Sequence, residues 1–133
     1  MSNNAQQITV NHPAAVDLSG SVGLVAKYDA GADLATTPTL AGDDLIGVIT
    51  SGNTEGESCT ICVFGKCQAI AGDDLTPGTH RFLTCNGDSQ VIPATAGNQV
   101  IGEWVGQQSG AAVAGDLVEI LVRKWAFSPD VAI

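Results

Sequence analysis

The β-prone segments of this chain are all short, and each is closed by Gly, Pro, Asn or Asp. Those residues supply positive φ, a fixed φ or a local backbone hydrogen bond, so they end strands and make turns. From Val16 the pattern has period two: Val22, Leu24 and Ala26 alternate with Gly23, Val25 and Lys27, which argues a strand ended by Tyr28-Asp29-Ala30-Gly31. Further strands are expected at 45–50, 58–64, 66–70, 80–85, 90–92, 99–105 and 117–124. No window longer than a turn or two keeps a helical period. The expectation is an all-β fold, a small β-barrel or β-sandwich with extended N- and C-terminal arms. Glycine supplies 16 of 133 residues and charged residues only 14 % of the chain, which suits many turns and a surface partly covered by partners.

A repeat sharpens this. Ala41-Gly42-Asp43-Asp44-Leu45 recurs as Ala71-Gly72-Asp73-Asp74-Leu75, with an echo at Ala114-Gly115-Asp116-Leu117. At an offset of 55 residues, TLAGDDLIGV (39–48) lies over ATAGNQVIGE (94–103). There Asn98-Gln99 stand for Asp43-Asp44. Asn keeps the turn-forming ability of Asp but cannot serve as a carboxylate acid or anionic ligand. A turn explains every occurrence, whereas a metal loop explains two. Gly56-Glu57 then leads into the strand 59–64 as Gly115-Asp116 leads into 117–123. A turn, a strand, a loop and a second strand are used twice within 16–124, between an N-terminal arm over 1–15 and a C-terminal tail over 125–133.

Chemistry is sparse. The net charge of −9, with five Lys or Arg, disfavours a phosphate backbone or an anionic membrane surface as partner. No apolar run is long enough to span a bilayer. The N-terminal Met-Ser-Asn-Asn-Ala-Gln-Gln has neither a basic region nor an apolar stretch, so synthesis and assembly in a cytoplasm are expected. No nucleophile elbow, zinc-protease motif, phosphate loop or dinucleotide fingerprint occurs around His12 or His80. No catalytic residue, metal site or cofactor is expected. Cys59, Cys62 and Cys67 have the spacing C-x2-C-x4-C, with Cys85 beyond, but Thr60-Ile61 are strand formers without the Gly of a metal knuckle. Strand residues three apart face opposite ways. With a two-residue hairpin turn at Gly65-Lys66, Cys62 and Cys67 would not pair directly; a four-residue loop would allow it. Free, mostly buried thiols are expected.

The six aromatics are Tyr28, Phe64, Phe82, Trp104, Trp125 and Phe127. Trp125 and Phe127, with Val131 and Ile133, lie beyond the last expected strand. They either fold back on the core or anchor a partner. With His12 and Pro13 of the N-terminal arm they are the candidate partner-binding residues.

The order of these signals over roughly 16–123 resembles the small β-rich capsid decoration (cement) proteins of tailed bacteriophages. VGLVAKYDAG is similar to an opening strand and its turn, and LAGDDLIGVITSG to a first glycine-led repeat. GESCTICVFGKCQAIAGDDLTPGT is similar to a central hairpin, and VIPATAGNQVIGEWVGQQ with AGDLVEILV to a closing pair. The resemblance implies a non-enzymatic protein on the outside of an icosahedral phage head. It would bind the major capsid protein and itself, as a trimer or dimer, and clamp neighbouring capsid subunits. The competing expectation is a small-ligand or carbohydrate-binding β module of a phage structural protein, which needs an aromatic platform on one face.

Overall fold

The computed structural model describes residues 7–29, 34–37, 45–76, 80–95, 98–105 and 111–125. It is all-β, with nine strands and no helix among the described residues. They are β1 (Ile8–Pro13), β2 (Val25–Tyr28), β3 (Ala35–Thr36), β4 (Leu45–Ser51), β5 (Ser58–Ile70), β6 (Phe82–Cys85), β7 (Val91–Pro93), β8 (Val100–Trp104) and β9 (Leu117–Trp125). One antiparallel sheet has the order β3-β2-β4-β5-β9-β8-β6-β7, and β1 pairs with β5 off this path.

That order is a palindrome. Four strands run outward from β5 as β5-β4-β2-β3, and four run outward from β9 as β9-β8-β6-β7. In chain order each half is a strand pair followed by a long hairpin: β2 and β3, then β4 and β5; β6 and β7, then β8 and β9. Gly47 and Gly102, 55 residues apart, hold matching places in β4 and β8. A Cβ on Gly47 would run into the carbonyl of Cys62 on β5, and one on Gly102 into the carbonyl of Leu121 on β9. Both halves use a glycine where the next strand's backbone passes too close for any side chain.

The larger core lies inside the curl of the sheet. It gathers Val25, Leu45 and Val48 from the first half with Leu83, Cys85, Ile101, Trp104, Val118, Ile120 and Val122 from the second. A smaller core lies on the opposite face of the first half, made by Ala26, Ala35, Ile46, Ile49, Cys59 and Ile61 and closed by Ala14 and Leu18. β4 therefore has cores on both faces, which is why Leu45-Ile46-Gly47-Val48-Ile49 is an unbroken apolar run. β9 alternates instead: Val118, Ile120 and Val122 point inward, while Glu119, Leu121 and Arg123 are more exposed.

Two sequence expectations change here. The extended arm expected over 1–15 is a paired strand from Ile8 onward. Ile8–Pro13 pair with Phe64–Ser58, Val10 packs on the smaller core, and the Ala14 amide donates to the Glu57 carbonyl at 2.9 Å. β1 hides in the sequence because all its residues are exposed or half-buried, so they carry no strong alternation. Nor is there a hairpin at Gly65-Lys66. β5 runs through that point for 13 residues, with Gly65 at φ 113°. A positive-φ glycine inside a strand has the same sequence signature as a hairpin glycine. Here it shifts the alternation: Cys59 and Ile61 face the smaller core before it, and Cys67 and Ala69 face the larger core after it.

Candidate attachment surface

The Gly-Asp segments at 72–74 and 115–116 are turns. The carboxylate of Asp73 accepts the Asp74 amide at 2.8 Å, and Leu75 behind it is fully buried. Asn98 accepts from the amide and hydroxyl of Thr95 at 2.9 and 3.0 Å. Asp116 accepts the Val113 amide at 3.0 Å. Ala41–Asp44 lie outside the described residues. No group of three or more His, Cys, Asp or Glu stands close enough to hold a metal ion among the described residues.

The richest exposed chemistry lies on the outer face of the β5–β9 seam. Register sets Phe64 against Arg123, Lys66 against Leu121, Gln68 against Glu119 and Ile70 against Leu117. Ile8 of β1 also registers with Phe64. Ile8, Phe64 and Leu117 are 57 %, 47 % and 61 % exposed, high for large apolar side chains. The ammonium of Lys66 lies 3.6 Å from the Glu119 carboxylate, across one diagonal. Beyond β9, Glu103 of β8 is nearly buried and takes two guanidinium groups. Arg81 Nε donates to its Oε1 at 3.2 Å and Arg123 Nη1 to its Oε2 at 3.1 Å. Arg81 also stacks over the Phe82 ring, 5.2 Å from its centroid. A carboxylate inside an apolar strand needs such partners, because burial of a lone charge costs far more than a hydrogen bond returns. The result is an elongated mixed face, with Ile8 and Phe64 beside arginines held in place at one end and Leu117 six residues, about 20 Å, along β9 at the other.

Of the predicted partner residues, Trp125, His12 and Pro13 are among the described residues. Trp125 ends β9, paired with Val100. His12 and Pro13 stand at the far end of β1, opposite Cys59 and Ser58. Ile8 to Pro13 is five strand steps, about 17 Å. The His12 ring meets Tyr28 edge-on at 5.2 Å, so its contact is with the smaller core's rim. Phe127, Val131 and Ile133 lie outside the described residues. Sequence reasoning missed Ile8, Phe64 and Leu117, because an apolar residue in a strand does not announce its face. Glu103 was findable: it is an acid within Val100-Ile101-Gly102-Glu103-Trp104-Val105.

Two clefts remain. One, of about 320 Å³, lies between the 16–24 segment and the β6–β7 turn, lined by Asp17, Ser21, Asp88 and Ser89 among others. The Ser19 hydroxyl, then the Ser19 amide, hold the exposed Asp17 carboxyl below the usual carboxylate range. The other, of about 280 Å³, is lined by Gln7, Val22, Ile49, Thr50, Cys67 and Gln68. Neither offers the aromatic platform a carbohydrate module needs.

No protein-family model matches this chain, and no curated protein matches it. Among solved structures it is similar to the N base of the head fiber gp8.5 of bacteriophage phi29. The TM-score is 0.60 at 18 % identity, over 88 % of this chain and 94 % of that one. Nearly the whole of both chains thus shares one all-β fold.

Proposed function

We propose that this chain is a non-enzymatic structural protein of a phage head. It binds the outside of the assembled shell through the outer face of the β5–β9 seam. The observation that carries this reading is the likeness, along nearly the full length of both chains, to a protein named as the base of a phage head fiber. The decoration-protein character of the sequence points the same way. The face itself fits the task. Ile8, Phe64 and Leu117 offer apolar area, and the guanidinium groups of Arg81 and Arg123 are held by Glu103 before any partner arrives. Such preorganisation lowers the entropy lost on docking.

The partners in this reading are the major capsid protein and further copies of the chain, not nucleic acid or membrane. A ligand that binds only the assembled shell stabilises it by mass action, and many identical sites add avidity. The acidic remainder of the surface keeps a decorated particle soluble and does not trap nucleic acid.

The deciding experiment mixes purified protein with expanded heads lacking it, sediments them, and heats them with and without the protein. Saturable co-sedimentation and a higher temperature of DNA release are expected. Saturating protein that stays in the supernatant would refute the reading.

A further inference from the structure

The outer face of β5, β9 and β8 has two unlike ends. At one end Ile8 and Phe64 lie level with Arg123, and Arg123 and Arg81 share the single carboxylate of Glu103. Two guanidinium groups against one carboxylate leave that end apolar and positive. At the other end Leu117 is exposed, level with Ile70 of β5. Val105, also exposed, donates its amide to the Glu119 carbonyl at 3.1 Å. Exposed Asp116 precedes Leu117, and its carboxylate accepts the amide of exposed Val113. This end is apolar and acidic. Lys66, level with Leu121, marks the middle, its ammonium 3.6 Å from Glu119. Three of the five Lys and Arg of a chain with net charge −9 thus stand on one face, Lys66, Arg81 and Arg123.

We propose that a second copy of the chain covers this face, turned end for end about a two-fold axis that crosses β9 between Glu119 and Leu121. A two-fold contact sets residue i of one copy on residue j of the other and the reverse, so a face with complementary ends is complementary to itself. The register gives the pairs. Arg123 of each copy lies over Leu117 of the other, next to its acidic Asp116. Phe64 lies over Ile70. Lys66, level with Leu121, comes over Gln68, level with Glu119, so each ammonium meets a carboxylate of the other copy. A two-fold axis along β9 would instead set Arg123 on Arg123 and Glu119 on Glu119. The face is about 20 Å long and about 15 Å across its three strands. That is well under the roughly 800 Å² per partner of a standard interface, so the pair is weak and exchanges readily. The repulsion between two acidic chains is screened beyond about 8 Å at physiological ionic strength, which leaves the local pairs to decide. Pairing does not require a phage head. Where the same face docks on a shell, the second copy shields its apolar groups until the shell displaces it.

Sedimentation equilibrium of the parent from about 10 µM to about 1 mM tests this. The mass should rise from 13.5 kDa toward twice that value. The Lys66 and Glu119 side chains are 55 % and 44 % exposed, so reversing either charge leaves the fold intact. Lys66→Glu sets carboxylate against carboxylate across the axis, and Glu119→Lys sets ammonium against ammonium. Each variant alone should stay monomeric over that range. Mixed in equal amounts they should associate one to one, because each supplies the charge the other lacks. Phe64→Ser should move the parent's midpoint at least about tenfold higher in concentration. Should one reversal fail to fold, the parent and Phe64→Ser still decide. A parent that stays at 13.5 kDa throughout would overturn the pairing, as would a trimer or larger species. Reversed variants that self-associate like the parent, or a mixture that stays monomeric, would overturn the two-fold register. Co-sedimentation with heads tests attachment separately, and none of these outcomes alters it.

Discussion

Three glycines separate two physical roles that composition lumps together. Gly47 and Gly102 make room for the next strand: a methyl group at either meets a backbone carbonyl, which cannot rotate away as a side chain could. Gly56 has open space around it but sits at φ +86°. Gly47→Ala and Gly102→Ala are therefore expected to cost at least about 2–3 kcal/mol each, by forcing strands apart. Gly56→Ala should cost about 1–2 kcal/mol from backbone strain alone. Chemical denaturation of the three variants checks the order, and a harmless Gly102→Ala would contradict the packing argument. The exposed Asp73-Asp74 pair is a turn, and its change to Asn-Asn should move stability by no more than about 1 kcal/mol. The matching glycines were legible as a repeat because both halves need the same close approach. Gly65 was not legible, since only the fold says whether a glycine ends a strand or bends it.

At the scale of elements, β1 and β5 carry what the sequence hid. β5 has three pairing partners. β4 takes its first part along one edge, β1 that part along the other, and β9 takes the second part. Ile8 and Arg123 both register with Phe64, so the start of β1 meets the end of β9 at that point. Polar Asn11-His12-Pro13 read as part of an extended arm, yet the Asn11 side-chain amide oxygen accepts from the Thr60 hydroxyl at 3.0 Å across that pairing. Removing residues 1–13 takes away six strand pairings and the cover that Val10 gives the smaller core. It leaves the first part of β5 as an unpaired edge. The truncated chain should melt at least several degrees lower and associate at concentrations where the parent does not. Scanning calorimetry with light scattering tests this, and an unchanged midpoint would return β1 to the status of a free arm. The outer ion network spans three elements in the same way. Glu103→Gln should cost about 1–3 kcal/mol, because both guanidinium groups lose a charged acceptor while staying partly solvated.

For the whole molecule, the proposed role turns on which surface would face the head. Two candidates lie apart in the sequence: the tail 125–133, with Trp125, Phe127, Val131 and Ile133, and the β5–β9 face with Ile8, Phe64 and Leu117. They are separable, because the face residues are half exposed and change little in folding when made polar. Burying a large apolar side chain fully is worth about 1.5–3 kcal/mol. Each of the three has about half of that left to gain, so together they can supply about 3 kcal/mol per site. That corresponds to roughly a hundredfold in affinity. The triple change Ile8→Ser, Phe64→Ser and Leu117→Ser should therefore leave the thermal midpoint within a few degrees of the parent. It should weaken capture on expanded heads by about a hundredfold at low occupancy, where avidity between copies is smallest. Deleting residues 126–133 is the matched control. If the deletion abolishes capture and the triple change does not, the tail is the anchor and the seam face is only a surface. If both weaken it, their effects should multiply, since the two regions would then contact the shell independently.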